Sequence, residues 1–300
     1  MERFSDRLAA AIDRCGTPAC VGLDPVYERL PAPVRGGEPH GAIMRFCMGV
    51  VAELADGPKP IVPVLKPQIA CFERYGPPGL MALAGVIEQA RRAGFLVLLD
   101  AKRGDIGATA EHYAAATLGR DPAHALTQLG ADAVTLSGYM GPDTVEPFLK
   151  VESAGVFVLV RTSNPGSDAV QAQRLADGRT VAEMMADMVA GLGAGRKGTC
   201  GLSDVGAVVG ATKSAEAAAL RARMPDQVFL IPGYGAQGGT VDDIRPCVRP
   251  GAERGRPSTM GVLVNASRSV LYPEGAGTDW RKAVRGAAER FVGELRGLEG

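Results

Sequence analysis

Eight short apolar runs, each followed by a stretch with helical spacing, constrain this chain more than any other feature. The runs are Ala19–Leu23, Ile61–Leu65, Phe95–Leu99, Ala133–Leu136, Val156–Val160, Ala207–Val209, Val228–Ile231 and Val262–Val264. They are rich in Val, Leu and Ile and show little polar alternation, as parallel strands buried on both faces do. The spacing between them predicts helices over Ile43–Ala55, Leu80–Ala93, Ala108–Thr117, Asp143–Lys150, Val181–Gly191, Ala215–Arg223 and Asp279–Leu295. A shorter piece near Val241–Ile244 is broken by Pro246. Eight strands in strict alternation with helices predict an α/β fold, the (β/α)8 or TIM barrel. A doubly wound sheet is the alternative, but it gives no reason for eight units and usually carries a glycine-rich turn after its first strand. Here that strand ends Gly22-Leu23-Asp24-Pro25, with no GxGxxG. The 300 residues suit one barrel of about 250 residues with additions. Residues 1–300 are therefore expected to form a single domain, with loop insertions near 25–41, 164–178 and 246–257.

Composition removes several classes of function. Lys plus Arg and Asp plus Glu both number 33, and no block of like charge stands out, so no basic stripe for nucleic acid is present. Glu2, Asp6, Arg7 and Asp13 interrupt the N-terminal stretch, which rules out a secretory signal. No apolar run approaches the roughly 18 residues that span a bilayer. The six cysteines, Cys15, Cys20, Cys47, Cys71, Cys200 and Cys247, form no CxxC pair and read as reduced thiols. His40, His112 and His124 have no zinc-type spacing. A cytoplasmic protein without a bound metal is expected.

Barrel enzymes carry their active sites at the C-terminal ends of the strands. Polar residues able to do chemistry fall at or just beyond six of the apolar runs: Asp24, Lys66, Asp100, Ser163, Gln237 and Arg268. After the third run the chain reads Asp100-Ala101-Lys102-Arg103-Gly104-Asp105. Residues two apart on a strand point the same way, so Asp100 and Lys102 project together if the strand continues past Leu99. Lys66 comes from the neighbouring strand and Asp105 from the start of the next helix. Two carboxylates and two ammonium groups in one small volume could be a rim salt-bridge network. Their place against the apolar Phe95–Leu99 makes such charges costly without a role. Gly233-Tyr234-Gly235-Ala236-Gln237-Gly238-Gly239 follows the seventh run and Asn265-Ala266-Ser267-Arg268-Ser269 the eighth. Barrels often hold phosphate with backbone N–H groups at these two places, and Arg268 supplies a planar, permanently charged donor. The glycines alone could simply make a tight turn.

The run DAKRGDIGAT resembles the Asp-x-Lys-x-x-Asp-Ile signature of orotidine 5′-phosphate decarboxylases. Further pieces agree and run in that family's order from about Cys20 to Tyr272. They are GLDP at Gly22–Pro25, LKPQIACFERYG at Leu65–Gly76, RTSNPGS at Arg161–Ser167, IPGYGAQGG at Ile231–Gly239 and VNASRSV at Val264–Val270. The TSNPGS and FERYG forms resemble the longer bacterial (type 2) branch. The resemblance implies cofactor-free decarboxylation of orotidine 5′-monophosphate to UMP and CO2, the last step of de novo UMP synthesis. Loss of CO2 from C6 leaves an sp2 carbanion that cannot delocalise into the ring, so fixed electrostatics must stabilise it. Lys102 would stabilise and then protonate C6, Asp100 would sit beside the substrate carboxylate, and Lys66 and Asp24 would meet the ribose.

The resemblance further places Ser163 at the pyrimidine edge and Pro232, Gly233, Gln237, Ser267 and Arg268 around the phosphate. It assigns Asp105, with Ile106 and Thr109, to the partner's site in a homodimer with shared active sites. On its residues alone Ser163 reads as a loop serine in a local turn, and Asp105 as an ordinary acid near a helix start. Two alternatives remain open. One is a metal-using sugar-phosphate lyase of the same barrel superfamily, which would need an acidic residue where this chain has Lys66. The other is a non-catalytic nucleotide-binding barrel, which would not need this charge density.

Overall fold

The computed structural model describes residues 2–121, 128–235, 238–275 and 277–299. Eight strands close into a barrel in sequence order: β1 (Ala19–Leu23), β2 (Val64–Pro67), β3 (Leu96–Arg103), β4 (Ala133–Leu136), β5 (Gly155–Arg161), β6 (Val205–Val209), β7 (Phe229–Ile231) and β8 (Val262–Ala266). Every neighbouring pair is parallel, and β8 returns to β1 through Ala19–Val264 and Cys20–Asn265. The helices are α1 (Phe4–Cys15), α2 (Pro39–Ala55), α3 (Ala70–Glu73), α4 (Gly76–Arg92), α5 (Gly107–Leu118), α6 (Glu146–Leu149), α7 (Asp168–Gln171), α8 (Val181–Gly193), α9 (Ser214–Arg223), α10 (Val241–Ile244), α11 (Arg268–Leu271) and α12 (Trp280–Leu295). The (β/α)8 architecture expected from the eight runs is the one observed.

Several boundaries differ from expectation for local reasons. The second strand begins at Val64 rather than Ile61, so Lys66 lies inside it and not beyond its end. The helix expected over Asp143–Lys150 is a 3-10 turn at Pro142–Thr144 followed by the single turn α6. Pro147 supplies no N–H and so cannot continue a preceding helix. Helices α2 and α4 start earlier than their apolar spacing suggests, each with proline in its first turn, where the missing N–H is harmless. Helix α1 lies in the stretch that the sequence reading considered only as an export signal.

That helix closes the N-terminal end of the barrel. Phe4, Leu8 and Ile12 share one cluster with the inward residues Cys20, Val64, Leu98, Ala133, Phe157, Val228 and Leu263. Phe4 meets Phe157 edge-on at 6.2 Å. A side chain at Gly155 would strike the Phe4 ring, so glycine there is what lets the helix seat. Polar residues of α1 reach distant elements. The Ser5 N–H and hydroxyl donate to Asp204 (2.8 and 2.9 Å), Arg7 donates to Asp132 (2.7 Å), and Asp13 accepts from the N–H and hydroxyl of Ser258 (3.0 and 2.7 Å). Each apolar side chain so buried contributes about 1.5–3 kcal/mol.

Strand alternation then carries the inward rows upward. Two residues beyond Cys20, Val64, Leu98, Ala133 and Leu263 stand Gly22, Lys66, Asp100, Thr135 and Asn265. The same period-two geometry that fills the core with hydrocarbon thus lifts polar side chains to its C-terminal mouth.

Candidate active site

The mouth holds a cavity of about 520 Å³. Its wall is divided by chemistry. Leu159, Val208 and Leu230, from β5, β6 and β7, make an apolar surface; Asp24 just past β1, with Lys66, Asp100, Lys102 and the neutral Thr135 from β2, β3 and β4, makes a polar and largely charged one. Pro232, Gly233, Ser267 and Arg268 close the end between β7 and β8, and Thr162, Ser163 and Asn164 the β5 side.

Asp100 is the centre of the charged wall. It is only 7% exposed. Its Oδ2 accepts from Lys66 Nζ at 2.7 Å, and its Oδ1 accepts from Lys102 Nζ at 2.6 Å and from the Thr135 hydroxyl at 2.9 Å. Burial opposes ionisation of this carboxyl, but the two ammonium groups outweigh it and hold Asp100 well below the usual carboxylate range. Burial likewise works against charge on Lys66, which is 4% exposed; Asp100 and Asp24 face it and push it above the usual lysine range. Lys66 is therefore a fixed cation. Beneath it, burial pushes the Cys20 thiol up to about 12, so that thiol stays protonated and inert.

Asp100 and Lys102 converge, but not by simple strand alternation. Leu99 pairs with Val134 and Arg103 with Leu136, so β3 carries two extra residues opposite β4. Lys102 sits in that bulge with φ +47°, a left-handed conformation that costs a non-glycine residue about 1–2 kcal/mol. Thr135 stabilises the irregular backbone: its Oγ1 accepts from the N–H groups of Ala101 and Lys102, both at 3.0 Å. The bulge separates neighbours. Lys102 lines the cavity, whereas Arg103 turns outward to pair with Glu73 and lie over Tyr113. Arg103 instead lines a second cavity of about 700 Å³ between α4 and α5, which none of the expected site residues lines. Bulges that re-aim a side chain are common beside active sites.

Among the described residues, three buried oxygen atoms around the cavity have no hydrogen-bond partner: Asp24 Oδ1, Asn265 Oδ1 and Ser267 Oγ. Leaving such atoms unsatisfied costs about 1–3 kcal/mol each, so their grouping points to a polar ligand. Gly22 makes the space, since a Cβ there would lie 2.8 Å from Ser267 Cβ. On the β5 side Gln171 holds the loop: its Oε1 accepts from the Thr162 N–H at 2.8 Å and its Nε2 donates to Thr162 Oγ1 at 2.8 Å. Arg161, 1% exposed, fastens the same loop by donating to Glu216, Asp168, Ser167 and Gln171.

Of the residues singled out in the sequence, the cavity thus brings together Asp24, Lys66, Asp100, Lys102, Ser163, Pro232, Gly233, Ser267 and Arg268. Gln237 lies outside the described residues. Asp105, Ile106 and Thr109 do not line this chain's cavity. Asp105 accepts from the Ile106 N–H at 2.9 Å, and Ile106 is 60% exposed. Sequence reasoning missed Thr135, Gln171 and Asn265. Asn265 left a trace as a polar residue ending an apolar run; Thr135 stands two beyond the inward Ala133, but nothing local marked it. Among the described residues no group of three or more His, Cys, Asp and Glu could hold a metal ion.

Comparison with known proteins agrees over nearly the whole chain. The profile of the orotidine 5′-phosphate decarboxylase / HUMPS family matches residues 18–282. An orotidine 5′-phosphate decarboxylase of Rhodopirellula baltica is 39% identical, covering 99% of this chain and all of its own. One from Salinispora tropica is 43% identical, covering 99% and 98%. The structure of Leishmania donovani OMP decarboxylase superposes with a TM-score of 0.77 at 31% identity, covering 99% of this chain and 98% of that one.

Proposed function

The chain belongs to the orotidine 5′-phosphate decarboxylase / HUMPS family, and from that premise we propose that it converts orotidine 5′-monophosphate to UMP and CO2 without metal or organic cofactor. The observation that carries this reading is the Lys66–Asp100–Lys102 row beside a cavity with unsatisfied polar atoms. The pyrimidine would lie along Leu159, Val208 and Leu230 with its edge toward Ser163. The ribose hydroxyls would meet Asp24 and Lys66. The phosphate would take the end formed by Pro232, Gly233, Gln237, Ser267 and Arg268. Asn265 Oδ1, unpartnered at that same end, is suited to accept from a sugar hydroxyl.

In this pose the substrate carboxylate lies beside Asp100, and C6 faces Lys102. The C6–carboxylate bond breaks heterolytically, CO2 leaves, and the electron pair stays on C6. The Lys102 ammonium stabilises that charge as it forms and then transfers a proton to C6. At about 4 Å and an effective dielectric near 20, one such charge pair is worth about 4 kcal/mol. Binding energy from the phosphate and ribose must supply much of the rest. Asp100 keeps Lys102 oriented. Lys66 neutralises the second oxygen of Asp100, so the carboxylate stays ionised in a buried place. Lys102 is 48% exposed along its side chain, which lets solvent return its proton after turnover.

The family also includes metal-using sugar-phosphate enzymes. A buried lysine that faces Asp100 and Asp24 supplies the positive charge a cation would otherwise bring. The deciding assay is CO2 release from orotidine 5′-monophosphate after exhaustive chelation. Full activity is expected, and loss restored by Mg²⁺ would overturn the reading. Lys102→Ala should abolish turnover; undiminished turnover would sink the mechanism.

We further read the chain as one barrel domain, with 25–41, 164–178 and 246–257 as insertions around its rim, working as a cytoplasmic homodimer. Ile106, Tyr139 and Met140 are exposed apolar residues on the loops after β3 and β4, Ile106 following Asp105 in the chain and Met140 lying near Gly104, and a second copy would cover them. Asp105, Ile106 and Thr109 would then complete the neighbour's site. Mixed dimers of Lys102→Ala and Asp105→Ala subunits should regain one intact site, and no recovered activity would refute sharing. Among the described residues no helix is long and apolar enough to cross a membrane.

A further inference from the structure

The loop after β7 has glycine at four of its six described residues. Its described residues, 232–235 and 238–239, are Pro232, Gly233, Tyr234, Gly235, Gly238 and Gly239. Gly233, Gly235 and Gly238 all have positive φ, and local turns join Gly238 to Gly235 and Gly239 to Gly233. Such backbone can bring its N–H groups close to an anion, but glycine also leaves it many other conformations. Tyr234 is the exception. Its ring is buried and packs on Phe291 at 5.3 Å between centroids, and its hydroxyl donates to Glu294 Oε2 at 2.6 Å. Burial and the Glu294 carboxylate push the tyrosine above its usual range, so it remains a donor.

Phe291 and Glu294 belong to α12, which is itself firmly seated. Trp280, Val284, Ala288, Phe291 and Leu295 form its buried stripe, and Trp280 packs on Phe46 of α2 at 5.1 Å. We propose that the Tyr234–Glu294 hydrogen bond is a latch that holds the glycine loop in the conformation that grips the substrate phosphate. Tyr234 and Glu294 are then positioning residues: they act through the loop backbone and not on the reacting carbon. The inference rests on the phosphate location given above. It adds a dependence of phosphate binding on the terminal helix, through an acid outside the cavity.

The test compares orotidine 5′-monophosphate with orotidine, which lacks the phosphate. Glu294→Ala should raise KM for the nucleotide by about tenfold, the worth of one charge-assisted hydrogen bond, while kcat changes little. Its kcat/KM for orotidine should equal that of the native protein. Glu294→Gln keeps an acceptor and should restore most of the affinity. Tyr234→Phe should match Glu294→Ala on the nucleotide, and the double variant should lose nothing more. Equal losses on both substrates, an unchanged KM, or additive losses in the double variant would overturn the latch. Should the native protein turn over neither substrate, the functional reading fails, and calorimetric titration with inorganic phosphate still decides the latch. Weaker phosphate binding by Tyr234→Phe, which keeps side-chain volume and fold but removes the donor, supports it, with Glu294→Gln near native; native binding by Tyr234→Phe refutes it.

Discussion

Replacing Lys66 with methionine tests the charged wall most directly. Methionine fills nearly the same space, so no cavity opens and the change is electrostatic. It removes the ammonium 2.7 Å from Asp100 Oδ2 and leaves a carboxylate, 7% exposed, with Lys102 and Thr135 as its remaining partners. Removing one partner of a buried ion pair costs about 3–5 kcal/mol, because the other charge stays buried without compensation. At roughly 2 °C per kcal/mol for a chain of this length, Tm should fall by about 6–10 °C. Asp100 is depressed in the folded protein, so its stabilisation is complete above the unfolded carboxyl value of about 3.9. It is lost as pH falls through the folded value. The gap between native and Lys66→Met proteins should therefore be constant from about pH 5 to 8 and narrow below pH 4. Denaturant melts at a series of pH values measure this. A cost under about 1 kcal/mol, the range of exposed pairs, or a gap that widens in acid, would refute the account of Asp100 as a buried anion held by Lys66.

Three other outcomes follow from the same geometry. Lys102→Gly and Lys102→Ala should both lack activity, yet the glycine variant should be more stable by about 1 kcal/mol because φ +47° suits glycine; equal melting points would count against backbone strain there. Thr135→Val removes the acceptor for two N–H groups and a donor to Asp100, so it should cost about 2–4 kcal/mol and most of the activity, with Thr135→Ser near native by both denaturation and turnover. Gly22→Ala puts a methyl group 2.8 Å from Ser267 Cβ and should weaken UMP binding about tenfold with an overpacking cost of about 1–3 kcal/mol; native affinity by calorimetry would show that Ser267 yields freely.

The barrel and its charged centre were both legible because each is written in local pattern. Strands buried on both faces must be continuous apolar runs, and the residue that ends such a run is aimed at the mouth. Asp24 and Asp100 could be placed on that ground alone, whereas Ser267 came only with the family resemblance. What escaped depends on how separate strands line up. Thr135 matters because two extra residues in β3 leave the N–H groups of Ala101 and Lys102 in need of an acceptor, and no spacing within either strand announces that. The alternation that predicted Asp100 and Lys102 side by side reached the right neighbours by the wrong route, since the bulge and not an extended strand aims the lysine. Helix α1 was concealed by its own charges. Asp6, Arg7 and Asp13 argue against an export signal, and the same three side chains fasten the helix to Cys200, Asp132 and Ser258.

Those attachments also set a timetable for the growing chain. Helix α1 leaves the ribosome ahead of all eight strands, but Arg7 must wait for Asp132, Ser5 for Asp204 199 residues later, and Asp13 for Ser258 245 residues later. At synthesis rates of about 5–20 residues per second, Phe4, Leu8 and Ile12 stay without their barrel floor for about ten seconds or longer. During that interval they offer an apolar segment to any chaperone that binds one. Docking of α1 then marks completion of the barrel: chains halted near residue 240 should be cut by protease within residues 3–15, and full-length chains should resist.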